Sequence, residues 1–552
     1  MTRLLPALSL LAACAPTTKP AAGDSGAVDT GVAVRPGRIE AGAPVACPAP
    51  VAGFARLSED GAARGLTAMV ADPVAPWGAW IDGRGGALVA EDLDGDGDVD
   101  LLVGQPGAGP DLYENDGTGH FTLRPGAVPL PTADGAQAVG LAVAHLDGDA
   151  LLDVVMSGVG GAWVAPGRGV LSWGTPVAVD LGAEPTVLYP AVAIGDLDGD
   201  GDLDLAAAAS GQLLDGTVDK TDTAVLQHRM SLQEPGAWRA TLPLLREGRG
   251  FSAQVLALSD RDADGDPDLL VPADLAAPTA FYRNDGVVGG EPWLVDDAED
   301  RRADLRFAGM GIDSADLNGD GQLDYCITDL GPIRCLLSIE GDYVEGARAL
   351  GLGPDEYVDP DFGTTGWSVE LADLDNDGAL DAVQASAPEI DRSPVTPAGL
   401  PDLIWQGQAD GTFVDQTEAV GFGDLAWHHG AVTADFDGDG YLDIVLAGPG
   451  AAPAYWANTC GEGAWLEVDV RGPPGNPLGL GSRVVVDLGD GTQVREVSGP
   501  RGPGQAPARV HLGLGDRDTV VRLEVIFPDG TVAMAEGLET RRVVTAVHPD
   551  AQ

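Results

Sequence analysis

A nine-residue phrase, Asp92-Leu93-Asp94-Gly95-Asp96-Gly97-Asp98-Val99-Asp100, returns six more times along this chain of 552 residues. The later copies start at His145, Asp196, Asp260, Asp316, Asp373 and Asp435, and all but the one at His145 keep the pattern D-x-[DN]-x-D-G-x-x-D. Oxygen-bearing side chains at alternate positions, with a glycine for the sharp turn, are what a hard cation such as Ca2+ requires. Positions 1, 3 and 5 are Asp92, Asp94 and Asp96; Asp196, Asp198 and Asp200; Asp260, Asp262 and Asp264; Asp316, Asn318 and Asp320; Asp373, Asp375 and Asp377; Asp435, Asp437 and Asp439. Position 7 offers a backbone carbonyl, from Asp98, Asp202, Asp266, Gln322, Ala379 and Tyr441 in turn.

An EF-hand would close the shell with Glu at position 12, where this chain has Val103, Ala207, Val271, Ile327, Gln384 or Leu446. The closing ligand is therefore expected at position 9: Asp100, Asp204, Asp268, Asp324, Asp381 and Asp443. The copy at His145 lacks the first carboxylate and has Ala150 for the turn glycine. About six bound Ca2+ are expected, with the second site weak or empty.

Short apolar runs flank each loop, such as Ala87-Leu88-Val89-Ala90 before the first and Leu101-Leu102-Val103 after it. They read as buried strands, so each loop joins two of them. Loop starts recur every 51 to 64 residues, a period that holds about four strands and describes a propeller blade. Aromatic third strands follow, as in Leu112-Tyr113-Glu114-Asn115-Asp116-Gly117 and Phe281-Tyr282-Arg283-Asn284-Asp285-Gly286. The seventh copy has a third strand, Ala454-Tyr455-Trp456-Ala457-Asn458, and then changes character at Gly461. Its missing fourth strand stands before the first loop, in the stretch from Gly53-Phe54 to Gly65-Leu66, which would close the ring and remove the open edge. Closure brings Cys47 towards Cys460. Cys326 and Cys335 flank the turn signal Asp329-Leu330-Gly331-Pro332 and are expected to pair across two strands. The expected fold is all-β: a seven-bladed propeller over residues 47–462, then a small β-sandwich over 463–552. The sandwich reading rests on alternating segments at 465–470, 483–488, 493–497, 509–512, 520–527 and 542–547.

These repeats resemble the FG-GAP/VCBS repeats of integrin α-subunit propellers and of bacterial surface proteins. The tail, with Leu478-Gly479-Leu480-Gly481-Ser482-Arg483-Val484, His511-Leu512-Gly513-Leu514-Gly515 and Val525-Ile526-Phe527-Pro528-Asp529-Gly530, resembles the ASPIC/UnbV domain. That domain follows a VCBS propeller in the cartilage acidic protein family, where Trp is usual at the place of Phe527. The resemblance implies calcium binding, and it leaves function open.

A net charge of −55, with Lys19 and Lys220 the only lysines and no basic stripe, argues against a nucleic-acid partner. At the N-terminus, charged Met1-Thr2-Arg3 and a short apolar stretch precede Leu11-Ala12-Ala13-Cys14, which looks like a bacterial lipobox. On that reading residues 1–14 are a lipoprotein signal peptide and Cys14 carries the lipid at the outer membrane or cell surface. The alternative is a plain cleaved signal peptide. Residues 15–46 read as a disordered tether.

No G-x-S-x-G elbow, H-E-x-x-H pair or P-loop occurs, so no enzyme is expected. Loop insertions at 71–85, 210–223, 357–366 and 388–401 fall on the end of the ring opposite the calcium loops, where a ligand face is expected. Its candidate residues are Trp77, Trp80, Trp367, Trp427 and His428; each has the competing reading of a packing residue. The leading function is a surface-anchored adhesion or protein-interaction module stabilised by calcium. A carbohydrate-binding or carbohydrate-active propeller is the alternative.

Overall fold

Each apolar run flanking a loop becomes a strand buried on both faces, as the continuous burial of Leu88–Glu91, Asp100–Val103 and Asp443–Ala447 shows. The computed structural model describes residues 35–551, apart from 52–53, 55–56, 71–85, 106, 132–137, 215–216, 221, 223, 246–249, 275–276, 354–364, 388–399 and 424. Every copy of the loop joins the first two strands of its own antiparallel sheet. The first sheet orders Leu88–Glu91, Asp100–Val103, Asp111–Asn115 and Phe121–Arg124; the fifth orders Ile312–Ala315, Asp324–Asp329, Gly331–Ile339 and Asp342–Glu345.

In the seventh sheet, Gly430–Ala434, Asp443–Ala447 and Ala454–Ala457 are completed by Ser58–Glu59, with Ser58 opposite Ala457 and Glu59 opposite Trp456. Leu88, Leu101 and Tyr113 of the first copy share one core with Val432, Val445 and Tyr455 of the seventh, so apolar packing closes the ring. Both expected disulfides are present. Cys47 and Cys460 have Cα atoms 5.8 Å apart, and Cys326 and Cys335 stand directly opposite each other in their sheet.

The C-terminal part forms two four-stranded sheets. Arg483–Asp487, Thr492–Glu496, Thr519–Ile526 and Val532–Glu539 make one; Ala464–Arg471, Arg509–Gly515 and Arg542–Val547 make most of the other. Val468, Val486, Leu512, Leu523, Val525 and Val544 fill the space between them. The fourth strand of the second sheet is Arg38–Ala41, which pairs antiparallel with Arg542–Val547. This departs from the tether reading at Arg38–Ala41; residues 15–34 lie outside the described residues. Arg-Ile-Glu-Ala is too short and polar to show a strand period, and a partner five hundred residues away makes it one.

A second departure concerns the centre of the ring. The segment 498–508, between two strands of the C-terminal domain, runs down among the inner strands. Gly504–Gln505 pairs in parallel with Leu88–Glu91. Leu88 N–H donates to Pro503 O at 2.7 Å, and Glu91 accepts the Ala508 N–H at 2.9 Å. Gln505, 2% exposed, accepts the Val143 N–H at 2.9 Å and donates to the Val143 carbonyl at 3.0 Å. The Arg501 guanidinium pairs with Asp313. The channel is plugged by the chain itself.

Candidate metal centres

Within each complete loop the first carboxylate organises the turn. Asp92 accepts N–H donors from Gly95, Asp96 and Gly97 at 2.7–3.1 Å, and Asp196 and Asp316 repeat the arrangement. Position 5 caps the N–H of position 7, as Asp96 does for Asp98. The aspartates at position 9 are at most 1% exposed. In the first six copies one of their oxygens accepts the N–H of position 2, at 2.7–3.2 Å. In all seven the other accepts an N–H from the third strand or the residues just after it, at 2.6–2.8 Å. Position 9 therefore staples loop to sheet, with lone pairs to spare for an ion.

Carboxylate oxygens converge within 4.8 Å in five copies. The trio is Asp196, Asp198 and Asp204 in the third copy, Asp260, Asp262 and Asp268 in the fourth, and Asp373, Asp375 and Asp381 in the sixth. In the first and seventh it comprises positions 1, 3 and 5 instead: Asp92, Asp94 and Asp96, and Asp435, Asp437 and Asp439. In the fifth copy the Asn318 amide nitrogen turns to the Ser338 carbonyl at 2.7 Å, leaving its oxygen on the Asp320 N–H. Burial, reinforced by like charges, pushes Asp100, Asp204 and Asp268 up to about 8 and Asp324 to about 7.

These residues fit a hard cation. Asp198 Oδ1 and Asp437 Oδ1, both at position 3, are buried without a hydrogen-bond partner. A carboxylate oxygen can only accept, and leaving it unmatched is costly. An all-oxygen donor set around it suits Ca2+.

The second copy solves the same problem with a side chain. His145 Nδ1 lies 3.0 Å from the Leu151 carbonyl, the position-7 oxygen expected to face an ion elsewhere. A carbonyl only accepts, so Nδ1 carries the proton. Burial pushes this imidazole below its usual range, in keeping with a neutral ring.

Asparagines at the ends of third strands had no assigned role in the sequence reading. Asn115, Asn284 and Asn458 each donate to the position-2 carbonyl of the neighbouring loop: Phe436 at 2.8 Å, Leu197 at 3.0 Å and Leu374 at 2.8 Å. Asn115 and Asn284 open Asn-Asp-Gly, which reads as turn chemistry, and Asn458, followed by Thr459-Cys460, carries no such mark.

Of the proposed ligand face, Trp77 and Trp80 lie outside the described residues. Trp367 and His428 are packing residues and not an open binding ring. Trp367, 8% exposed, donates its indole N–H to Ala387 O and rests on His429 with ring centroids 4.3 Å apart. His428 is fully buried, with Nδ1 2.7 Å from Asp402. Trp427, half-buried, packs beside Trp367 and Met310. The Asp402 carboxyl and the adjacent apolar cluster together hold this pair inward.

Comparison with known proteins agrees with the motifs. Residues 92–156 and 401–446 match the FG-GAP-like repeat family, and residues 472–552 match the ASPIC and UnbV family. No match was found among curated proteins. Similar solved structures include an Agrocybe aegerita lectin that recognises non-reducing terminal N-acetylglucosamine, with 19% identity, 65% of this chain and 88% of that one covered, and a TM-score of 0.39. The BBS1N fragment in complex with ARL6DN shares 8% identity over 74% and 97% of the chains, with a TM-score of 0.43. The Dos1 propeller shares 8% over 69% and 93%, with a TM-score of 0.36. At these levels the likenesses carry nothing about ligand or partner. By its motifs, its sheets and these matches, the chain is an all-β propeller that carries FG-GAP-like repeats at residues 92–156 and 401–446 and matches the ASPIC and UnbV family over residues 472–552.

Proposed function

We propose that the chain is a seven-bladed, calcium-stabilised protein-interaction module, held at the cell surface by a lipid on Cys14, which itself lies outside the described residues. One observation carries the reading: the C-terminal domain sits on the calcium-loop end of the ring and fills its centre. A partner then meets the opposite end, where the residues flanking 71–85, 354–364 and 388–399 lie. Repeat proteins carry binding on the face that holds their inserted loops. Two disulfides suit an oxidising compartment. Among the described residues no helix is long and apolar enough to cross a membrane.

The test is a binding screen of surface proteins and glycans in Ca2+ and in chelator, followed by variants. Trp77→Ala and Trp80→Ala should weaken binding at least tenfold at unchanged melting temperature, whereas Asp198→Ala should lower melting in Ca2+ and leave binding intact. Loss of binding by folded Asp198→Ala in excess Ca2+, with the tryptophan variants unaffected, would invert the assignment of the two ends. Capture of glycans alone would favour the carbohydrate reading.

A further inference from the structure

The position-6 glycine of every loop from the third to the seventh meets the C-terminal domain, each through a different residue. A Cβ on Gly475 would fall 2.0 Å from the Gly201 carbonyl. One on Gly265 would fall 3.0 Å from the Pro528 carbonyl, and one on Gly440 would fall 2.0 Å from the Trp465 ring. The Arg483 guanidinium donates to the Gly321 carbonyl. Gln493 Nε2 lies 3.3 Å from the Gly378 carbonyl, next to Gly515 N–H donating to Asn376 O at 2.8 Å. The first copy differs: its loop, together with the second, faces Val470, Pro477 and Arg509 of the C-terminal domain across an open cleft of about 440 Å³. The second has no such glycine.

We infer that these five turns are the seat of the C-terminal domain, and that calcium in the third to seventh loops latches that domain and its 498–508 plug into the ring. The inference rests on the calcium reading above and goes beyond it. The turn glycine stands between the carboxylate at position 5 and the carbonyl at position 7, so the ion that draws those two groups together also sets the backbone on which the domain rests. Without it, nothing draws the position-5 carboxylate and the position-7 carbonyl together, the turn relaxes and the five contacts loosen together. The plug belongs to the same rigid domain and follows it. Coupling of this kind is reciprocal. A change at Gln505, whose side chain bonds Val143 and lies away from the third to seventh loops, must therefore weaken calcium binding at those five.

The full chain tests this by hydrogen exchange during stepwise chelation, with bound calcium counted by mass spectrometry in the same samples. Amides held by the plug, those of Leu88, Val143 and Ala508, should exchange at least tenfold faster once calcium is removed, while Val468 and Val525 inside the sandwich stay protected. In excess calcium, where folding is secure, Gln505→Ala should raise the calcium concentration needed to protect Gly515 by three- to tenfold. Asp94→Ala, in the open first loop, should remove one ion and leave plug protection unchanged. An ion count near six with plug exchange indifferent to calcium overturns the latch alone, and so does Gln505→Ala with calcium affinity unaltered. Simultaneous loss of protection across all inner strands also overturns it, because calcium would then hold the whole ring. A count near zero overturns the latch together with the calcium reading.

Discussion

Replacing Asn458 by Ala would test whether neighbouring repeats are held together by their asparagine bridges. Asn458 is 4% exposed, and its amide donates to Leu374 O in the sixth loop at 2.8 Å and to Leu442 O in its own at 3.1 Å. Alanine removes both donors, and each buried carbonyl left unmatched costs about 1–3 kcal/mol. The two together predict a loss of about 2–6 kcal/mol. The backbone N–H on Asp443 survives the substitution, so the sheet itself keeps its staple. Urea denaturation in saturating Ca2+ measures the change, with Asn115→Ala and Asn284→Ala as parallel bridges at other junctions. All three should destabilise by similar amounts, and pairs of them should add, since the junctions lie far apart. A loss below about 0.5 kcal/mol, the level of an ordinary surface substitution, would refute the bridging role.

Asp437→Ala should remove one bound ion. At free Ca2+ a hundredfold above that site's Kd, it should lose the roughly 2.7 kcal/mol which such binding contributes; calcium titration by calorimetry checks the count. In chelator the same variant should be no less stable than the parent, because it removes a repelling charge. The position-9 carboxyls supply a pH test. Their folded, ion-free values near 8 lie above the ordinary 3.8, so the folded state binds more protons than the unfolded one between those limits. Stability of the ion-free chain should therefore fall as pH rises from about 4 to 8. Calcium affinity should rise over the same interval; denaturation series with and without Ca2+ at several pH values check both, and ion-free stability that stays flat between about pH 5 and 8 would mean that these groups are ionised throughout. Opening Cys47–Cys460 with a Cys460→Ser change closes off a constraint 413 residues long, for which the chain-entropy relation allows at most about 6 kcal/mol. Cys335→Ser, opening a separation of 9, should cost less than half of that by thermal melting.

Several features were legible before any coordinates. The loops announce themselves because ligand spacing is a local property: Asp92, Asp94 and Asp96 must alternate to reach one point. Strands before and after them show as apolar runs for the same reason, since Leu101-Leu102-Val103 is buried on both faces whatever lies beyond it. Even ring closure could be counted, because one strand was missing at the end and one was spare at the beginning. Cys47 and Cys460 then had only each other.

What the tertiary structure alone decided are contacts with no local trace. Arg38–Ala41 is a strand only because Arg542–Val547 presents an edge to it. Trp367 and His428 looked available as ligand residues until their neighbours from other segments, Ala387 and Asp402, took their polar atoms. The stretch from Ser498 to Pro507, rich in Gly and Pro, falls between the expected segments 493–497 and 509–512 and carries no strand pattern of its own. It becomes a channel plug because Gln505 finds Val143, 362 residues earlier. Likewise Gly440 is required locally by the bend, and the same absence of a side chain makes room for the Trp465 ring of the second domain. Periodicity and ligand spacing record what a residue does for its own segment. They hold no record of which distant backbone will come to rest against it, because that depends on how the closed ring orients all its loops at once.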